Sequence, residues 1–277
     1  MPVQNDHIGE HPIAPSIFNK WFSSVDKAIT ATCSHRQLDH LVSADDVEII
    51  DWLSQKIVDH HYSEKDLATL KKKYAEAGFA AYAKEMRRIP NDDNTRKGNA
   101  TEIILLEYLK ESLVGLDFVY VKRFRYSTNV DQAMKGDDVL MLHRFTDNQG
   151  NDQLLVLLGE AKFRSIPSNA VLDELKGAVA KDKLPVSFSF LVKILRDNPA
   201  TEAIADELDN FVMDKIKAAG HLRYVGLLLS NHNAGRFIQT NFSSDNPDLV
   251  ILSATSDAPS ELIAEAFKKA EYLLANP

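Results

Sequence analysis

The middle of the chain contains two strand-length apolar runs, at positions 139–143 and 153–162, separated by a segment rich in Asp, Asn and Gly. This arrangement predicts an antiparallel β-hairpin with a long turn. Positions 138 and 160 are symmetric about residue 149, so the hairpin places Asp138 opposite or nearly opposite Glu160. Two carboxylates at that separation repel each other unless a cation neutralises them, and a divalent cation with oxygen ligands does so best. The hairpin therefore predicts a cation site beside these two residues.

The second run ends in Gly-Glu-Ala-Lys at residues 159–162. Because alternate side chains of a strand share a face, Glu160 and Lys162 project together while Ala161 points the other way into packing. A second acid-x-Lys triplet, Glu-Leu-Lys at residues 174–176, lies in a helical pattern, where residues i and i+2 do not share a face. Only the first triplet follows an apolar run and faces an acidic residue on a neighbouring strand.

The remaining apolar periodicity predicts the elements around this hairpin. In chain order they are a helix at 99–113, a strand at 118–126, helices at 170–181 and 198–220, strands at 223–230 and 249–253, and a helix at 260–274. This alternation predicts an α/β fold in which a mixed β-sheet is flanked by helices.

The first ninety residues are predicted to form a helical N-terminal region. A serine three residues before an acidic residue is a capping-box pattern, and it occurs at Ser43 with Asp46 and at Ser63 with Asp66. A further helix is expected over residues 21–32.

Pro90 and the polar run at residues 91–94 then interrupt the pattern. We therefore predict two parts, a helical region at 1–90 and a domain at 91–277 that carries the candidate site.

A helix glutamate, a strand aspartate, Glu-x-Lys on the next strand and a following helix together resemble the PD-(D/E)xK nuclease superfamily. The four residues in this sequence are Glu102, Asp138, Glu160 and Lys162. The resemblance covers roughly residues 95–255 and implies a restriction-endonuclease-like core. Asp137 stands where that superfamily often has a proline, so it is a rival to Asp138 for a metal ion. We favour Asp138, because it directly precedes a strand and faces Glu160.

The resemblance implies a metal-dependent deoxyribonuclease, with Mg²⁺ as the cofactor and Mn²⁺ as an alternative. Asp138, Glu160 and the Ala161 carbonyl would bind the metal, and Glu102 would reach it directly or through water. A bound metal lowers the pKa of water and neutralises charge on the phosphate. Lys162 would hold or help deprotonate the attacking water and stabilise the developing charge.

More narrowly, three segments look like the nuclease subunit family of the Hachiman antiphage defence system. They are Lys-Gly-Asn-Ala-Thr-Glu at 97–102, Gly-Asp-Asp at 136–138 and Gly-Glu-Ala-Lys-Phe-Arg at 159–164. This resemblance implies a bacterial DNA nuclease that works with a superfamily 2 helicase partner, which restrains it until infection. The residues alone allow DNA or RNA as the substrate, and the resemblance implies DNA.

Basic residues near the candidate site would contact a nucleic-acid backbone, or else form a solvated charged surface. They are Lys122, Arg123, Arg125, Arg164 and Lys176.

The site residues also have structural interpretations. Asn99 and Glu102 form a capping-box pattern by themselves. Glu160 and Lys162 would be a surface ion pair if their strand lay at a sheet edge, although the apolar neighbours favour an inner strand. Asp138 would simply end a turn before a strand.

Lys and Arg total 32 against 40 Asp and Glu, a formal net charge of −8, which argues against a uniformly basic nucleic-acid-binding surface. An anionic partner must therefore meet a local patch or a metal ion. The single Cys33 favours a reducing, cytoplasmic setting. The longest apolar stretch, at 154–158, is far shorter than the roughly 18 residues of a membrane span, so no membrane contact is expected.

Two other functions compete with the nuclease. One is a noncatalytic module that keeps the nuclease fold to bind DNA or a partner protein, and the intact acidic and lysine positions argue against it. The other is an autonomous restriction-type endonuclease, which would need a base-reading element that the sequence does not show.

Overall fold

The computed structural model describes residues 3–27, 34–77, 87–134, 136–180, 188–197, 222–232 and 234–275, together with residues 199, 202, 203, 205, 206 and 209. Its strands are β1 Phe22–Asp26, β2 Ser34–His40, β3 Phe118–Tyr120, β4 Val139–Thr146, β5 Asp152–Phe163, β6 Leu222–Ser230 and β7 Leu249–Thr255. They form one seven-stranded mixed sheet in the order β1-β2-β7-β6-β5-β4-β3. The α/β fold class predicted from the sequence is confirmed.

Helices flank the sheet. They are α1 Val3–Ile8, α2 Ile17–Trp21, α3 Val47–His61, α4 Glu64–Ala77, α5 Asp93–Ser112, α6 Asn169–Ala178, α7 Phe188–Arg196, α8 Ala234–Asn241 and α9 Pro259–Ala275, with a 3₁₀ helix at Arg123–Tyr126. Among the residues described, no helix is long and apolar enough to cross a membrane.

The hairpin of β4 and β5 has the predicted register. Val139 pairs with Gly159 and Thr146 pairs with Asp152, so each pair is symmetric about residue 149. β5 is an inner strand, because it pairs with β4 on one side and runs parallel to β6 on the other. The site that the hairpin carries therefore lies inside the sheet and not at its edge.

The two faces of the sheet bury separate apolar clusters. Helices α3, α5 and α9 cover the face that holds Leu157 and Ala161, whereas α6, α7 and α8 cover the face that holds Val156 and Leu158. Because side chains alternate along a strand, Glu160 and Lys162 belong to the second face. Ala161 packs in the core, as predicted.

Close packing at Gly159 fixes α5 against the hairpin. A Cβ at Gly159 would lie 2.8 Å from the Cβ of Val139 and 3.0 Å from Cδ2 of Leu105 on α5. Glu102 lies three residues before Leu105, so both side chains lie on one side of the helix. This contact places Glu102 near the ends of β4 and β5.

The helices predicted after the two capping-box patterns are both present. In the second, the Ser63 hydroxyl accepts a hydrogen bond from the Asp66 N–H, and the Asp66 carboxylate accepts one from the Ser63 N–H, as the pattern predicts. In the first pattern, Ser43 with Asp46, the N-cap of α3 is Asp46, whose side chain accepts hydrogen bonds from backbone N–H groups of the first turn of α3. Ser43 lies outside the helix.

The helix predicted at residues 21–32 is wrong where the structure describes it. α2 ends at Trp21, and residues 22–26 form β1, which pairs antiparallel with β2. The Phe22 side chain is buried, and two serines and a valine follow it, all weaker helix formers than alanine. Residues 28–32 lie outside the described residues.

The strand predicted at residues 118–126 is too long. Pairing with β4 ends at Tyr120, and the chain then turns into the 3₁₀ helix. The reason is the burial of Phe124, whose ring stacks on that of His61 at a centroid distance of 4.9 Å. The alternation of apolar and basic residues therefore does not continue as a strand.

The other predicted elements are present where the structure describes them, with shifted ends. α5 begins at Asp93 and not at Asn99, and the helix predicted at 198–220 falls mostly outside the described residues. Helices α7 and α8 were not predicted. The first ninety residues are largely helical where described, but they also contribute β1 and β2, so strands from both sides of the predicted boundary at Pro90 lie in one sheet.

Candidate active site at the ends of β4 and β5

Asp138 joins the two strands of the hairpin beyond their last paired residues. Its backbone N–H donates to the Gly159 carbonyl at 3.1 Å, and its Oδ2 accepts a hydrogen bond from the Ala161 N–H at 2.9 Å. The side chain is largely buried. Asp138 is therefore held against the segment that carries Glu160 and Lys162, and the interpretation of Asp138 as a simple turn residue does not account for these contacts.

Glu160 and Lys162 form an ion pair on the same strand, with Glu160 Oε1 2.7 Å from Lys162 Nζ. Both side chains are partly buried, and β5 is an inner strand. The alternative of an ion pair on an edge strand is therefore wrong.

Glu102 reaches the same place from the middle of α5. Its Oε2 lies 2.8 Å from Nε and 2.6 Å from Nη2 of Arg123. The N-cap of α5 is Asp92, ten residues earlier, which accepts a hydrogen bond from the Thr95 N–H at 2.7 Å. The interpretation of Asn99 and Glu102 as a capping box is therefore wrong, because both residues lie inside the helix.

Arg123 connects the acidic residues. Its Nη2 lies 2.8 Å from Oδ1 of Asp138, and its Nη1 donates to the backbone carbonyl of Asp137 at 2.9 Å. Together with the bonds to Glu102, these contacts engage all three guanidinium nitrogens, and the Arg123 side chain is only 11% exposed. Asp138 thus brings its carboxylate into the cluster, while Asp137 contributes its backbone carbonyl.

The electrostatics follow from burial and from these neighbours. Burial and then the Asp138 carboxylate raise the pKa of Glu102 well above its ordinary value, against the opposing effect of Arg123. Burial alone would lower the pKa of Arg123, but the carboxylates of Glu102 and Asp138 outweigh it and raise the pKa. Likewise Glu160 outweighs the burial of Lys162 and raises the pKa of that amine. The two cations are thus stabilised by the carboxylates around them.

The oxygen atoms of this cluster are suitable ligands for a metal cation, and the cationic side chain of Arg123 lies among them. The carboxylates of Glu102 and Asp138 meet at Arg123, and the Glu160–Lys162 ion pair lies at the end of the neighbouring strand. Carboxylate oxygens are the donor type that Mg²⁺ prefers. The guanidinium of Arg123 lies between Glu102 and Asp138 as a stand-in cation. Within the part of the chain that the structure describes, no group of three acidic, histidine or cysteine side chains is spaced ready for a metal.

The other basic residues of the sequence prediction show no side-chain hydrogen bond or ion pair with this cluster among the residues described, and their surroundings differ. Lys122 and Arg125 both pair with Asp59 on α3, Arg164 pairs with Glu174 at 3.2 Å, and Lys176 is exposed on α6. None of these contacts tests DNA binding, which stays a prediction.

The bridging role of Arg123 was not predicted. The sequence instead predicts that Arg123 lies on a strand face and contacts a nucleic-acid backbone. The direction in which the Arg123 side chain points depends on the 3₁₀ helix and on the burial of Phe124. Neither feature produces a periodic signal in the sequence.

The fold and this cluster define an α/β protein with a mixed sheet and a carboxylate–lysine site at the end of an inner strand. A family model described as HamA matches residues 15–272, and the chain belongs to the HamA family. The Hachiman protein HamA of Bacillus cereus is 33% identical over 280 residues, which cover 98% of this chain and 96% of that protein.

Proposed function

We propose that this chain is a metal-dependent DNA nuclease that hydrolyses phosphodiester bonds as the effector of a Hachiman antiphage defence system. The observation that carries the proposal is that Glu102 and Asp138 share Arg123, while Asp138 is hydrogen-bonded to the backbone between Glu160 and Lys162, which form an ion pair. Membership of the HamA family supports the role in defence. We further propose that a helicase partner of the same system restrains the nuclease.

In this proposal Asp138, Glu160 and the Ala161 carbonyl hold Mg²⁺ or Mn²⁺, with Glu102 bound directly or through water. When bound, the metal lowers the pKa of a water molecule and neutralises charge on the phosphate. Lys162 stays close to the reacting group through its ion pair with Glu160. Its ammonium donates a hydrogen bond to the attacking water or to a phosphate oxygen, and so stabilises the charge that develops during hydrolysis.

Cleavage that relies on a bound metal and a few basic residues also agrees with an acidic protein. The chain has a formal net charge of −8, so it does not attract DNA through its overall charge. Arg164 and Lys176 lie after the Glu160–Lys162 segment and on the next helix, where they would contact the phosphate backbone. Binding to DNA would then depend on this local patch and on the metal.

One observation favours the noncatalytic alternative. Both oxygens of Asp138 are already engaged within the chain, one by Arg123 and one by the Ala161 N–H. A module that only binds DNA or a protein would keep such a closed arrangement permanently.

The test uses the purified full-length chain with supercoiled plasmid and Mg²⁺, alone and with the helicase from the neighbouring gene. We expect the chain alone to cut plasmid without discrete sequence-specific fragments, and the complex to cut much more slowly until the helicase engages DNA. The Glu160→Gln variant is the control for contaminating nucleases. Binding without cleavage would favour the noncatalytic module, and discrete fragments with or without the helicase would favour a restriction-type enzyme.

A further inference from the structure

The guanidinium of Arg123 occupies the space between Glu102 and Asp138 that a divalent metal bound to both residues would need. Arg123 donates from Nε to Glu102, from Nη2 to Asp138 and from Nη1 to the Asp137 carbonyl, and its Nη2 also lies 2.6 Å from Oε2 of Glu102. Paired hydrogen bonds between a guanidinium and carboxylates are among the strongest that side chains form. Arg123 is therefore a well-bound occupant of the site and not a solvent-exposed side chain beside it.

The formal charges of the cluster favour a divalent cation that replaces Arg123 over one that binds beside it. When all five groups are ionised, as metal binding to the carboxylates requires, Glu102, Asp138 and Glu160 carry three negative charges and Arg123 and Lys162 carry two positive ones, so one negative charge is left over. A divalent cation added beside Arg123 would leave an excess of positive charge in a largely buried place. A divalent cation in place of Arg123 would leave the cluster neutral, because two positive charges would then replace one.

The geometry leads to the same result. Oδ2 of Asp138 accepts a hydrogen bond from the Ala161 N–H, and Oδ1 accepts one from Arg123. Arg123 Nη2 lies 2.8 Å from that oxygen and 2.6 Å from Oε2 of Glu102. A metal that binds Oδ1 of Asp138 together with Oε2 of Glu102 must displace the guanidinium from the space between these two oxygens.

The 3₁₀ helix that carries Arg123 is attached to α3. Lys122 and Arg125, on either side of Arg123, pair with Asp59, and Phe124 stacks on His61. Both Asp59 and His61 belong to the last turn of α3. The position of Arg123 is thus set by a helix of the first ninety residues, outside the segment that carries the other site residues.

We propose that Arg123 is an internal cation that keeps the acidic cluster closed to divalent metals, and that metal binding requires its release from Asp138. This inference rests on the proposed metal-dependent nuclease. Apparent affinity falls in proportion to the fraction of molecules whose site is open, so a site open in about one molecule in ten binds metal about tenfold more weakly.

The first experiment is calorimetric titration of the full-length chain with Mg²⁺ and Mn²⁺ in the absence of DNA. We expect Arg123→Gln to bind metal at least about tenfold more tightly than the wild type, because no guanidinium competes for the carboxylates. Arg164→Gln removes the same charge close to the site without touching Glu102 or Asp138, so its affinity should stay within about twofold of the wild type. Equal affinity of both variants would overturn the inference and leave the metal site standing.

The second experiment uses the wild-type chain, because Arg123→Gln leaves two carboxylates without their cation and that variant can fail to fold. The NMR signal of the Arg123 Nε–H, assigned by its loss in Arg123→Lys, should shift or broaden as Mg²⁺ saturates the site. If calorimetry shows that Mg²⁺ binds while this signal stays unchanged, Arg123 is not displaced and the inference is wrong. If neither the wild type nor any variant shows a heat of metal binding, the proposed metal site is wrong and the inference falls with it.

Discussion

The carboxylate of Asp138 accepts a hydrogen bond from the backbone N–H of Ala161, which lies between Glu160 and Lys162 in the sequence. The bond crosses the hairpin just beyond the last residue pair, Val139 with Gly159. It satisfies a buried backbone donor and at the same time orients the aspartate. The consequence is that the acidic residue of one strand and the acidic and basic pair of the next are held together by the backbone itself.

This geometry predicts the effect of two substitutions on β5. Glu160→Gln and Lys162→Ala should each reduce plasmid cleavage at least about 100-fold, because each removes a charged group from the reacting centre. The Tm should change little, since both side chains are partly exposed. Glu174→Gln is the matched control, because it alters the second acid-x-Lys triplet, where Glu174 lies exposed on α6. Wild-type cleavage by Glu160→Gln would show that the site is elsewhere.

Metal dependence is predicted separately from turnover. Mg²⁺ or Mn²⁺ should support cleavage, whereas Ca²⁺ should bind without supporting it, because its larger and less regular ligand shell positions and acidifies water poorly. In calorimetry, Asp138→Asn should lose the heat of metal binding and Asp137→Asn should keep it. The opposite result would transfer the ligand role to Asp137.

Stability should fall in mild acid because of His61. Its Nδ1 lies 2.7 Å from the Ile57 carbonyl, and its Nε2 accepts a hydrogen bond from the Asn99 amide at 3.1 Å, an arrangement that needs the neutral ring. Burial lowers the pKa of His61 to about 4, whereas the unfolded chain has a His pKa of about 6.5. Between these values the unfolded state binds more protons than the folded state. The contribution of neutral His61 to the free energy of unfolding is therefore complete above pH about 6.5 and decreases as the pH falls toward 4.

The loss attributable to His61 is on the order of 2 to 3 kcal/mol over that window. Urea unfolding at pH 7.5, 6, 5 and 4.5 measures it. His61→Gln should flatten the pH dependence, although not completely, because burial also lowers the pKa of His35 to about 4. His232→Gln, at an exposed position, is the control and should leave the slope as it is in the wild type.

A chain that begins at Asn91 should not fold on its own. It lacks β1, β2 and α3, so β7 would become an edge strand, and the apolar side of α9 would lose its contact with α3. We expect no cooperative thermal unfolding for residues 91–277 alone, and recovery of the transition when residues 1–90 are co-expressed. A transition at the full-length Tm for the truncated chain would show that the two parts fold independently.

The hairpin and its acidic residues could be predicted from the sequence because they depend on local periodicity. Turn residues and two apolar runs define the register of β4 and β5, and the register alone brings Asp138 opposite Glu160. Glu102 could be placed only through the resemblance to a family, since its approach depends on how α5 packs on Gly159.

The elements that were not predicted depend on contacts between distant parts of the chain. β2 is a strand because it runs parallel to β7, more than 200 residues later, with Ser34 paired to Val250. Its sequence, Ser-His-Arg-Gln-Leu-Asp-His, contains one large apolar residue and has no strand signal. The turn that directs Arg123 into the site likewise depends on a pocket beside His61.

The symmetry of the hairpin about residue 149 limits how this family can change in length. Asp147 closes the turn locally by accepting hydrogen bonds from the N–H groups of Gln149 and Asn151, far from the charged cluster. Insertions and deletions at positions 147–151 should therefore be frequent among homologues. A single-residue deletion within 139–145 would instead turn every following side chain to the opposite face and carry Asp138 away from Glu160. An alignment of relatives should show gaps in the turn and none in the strands.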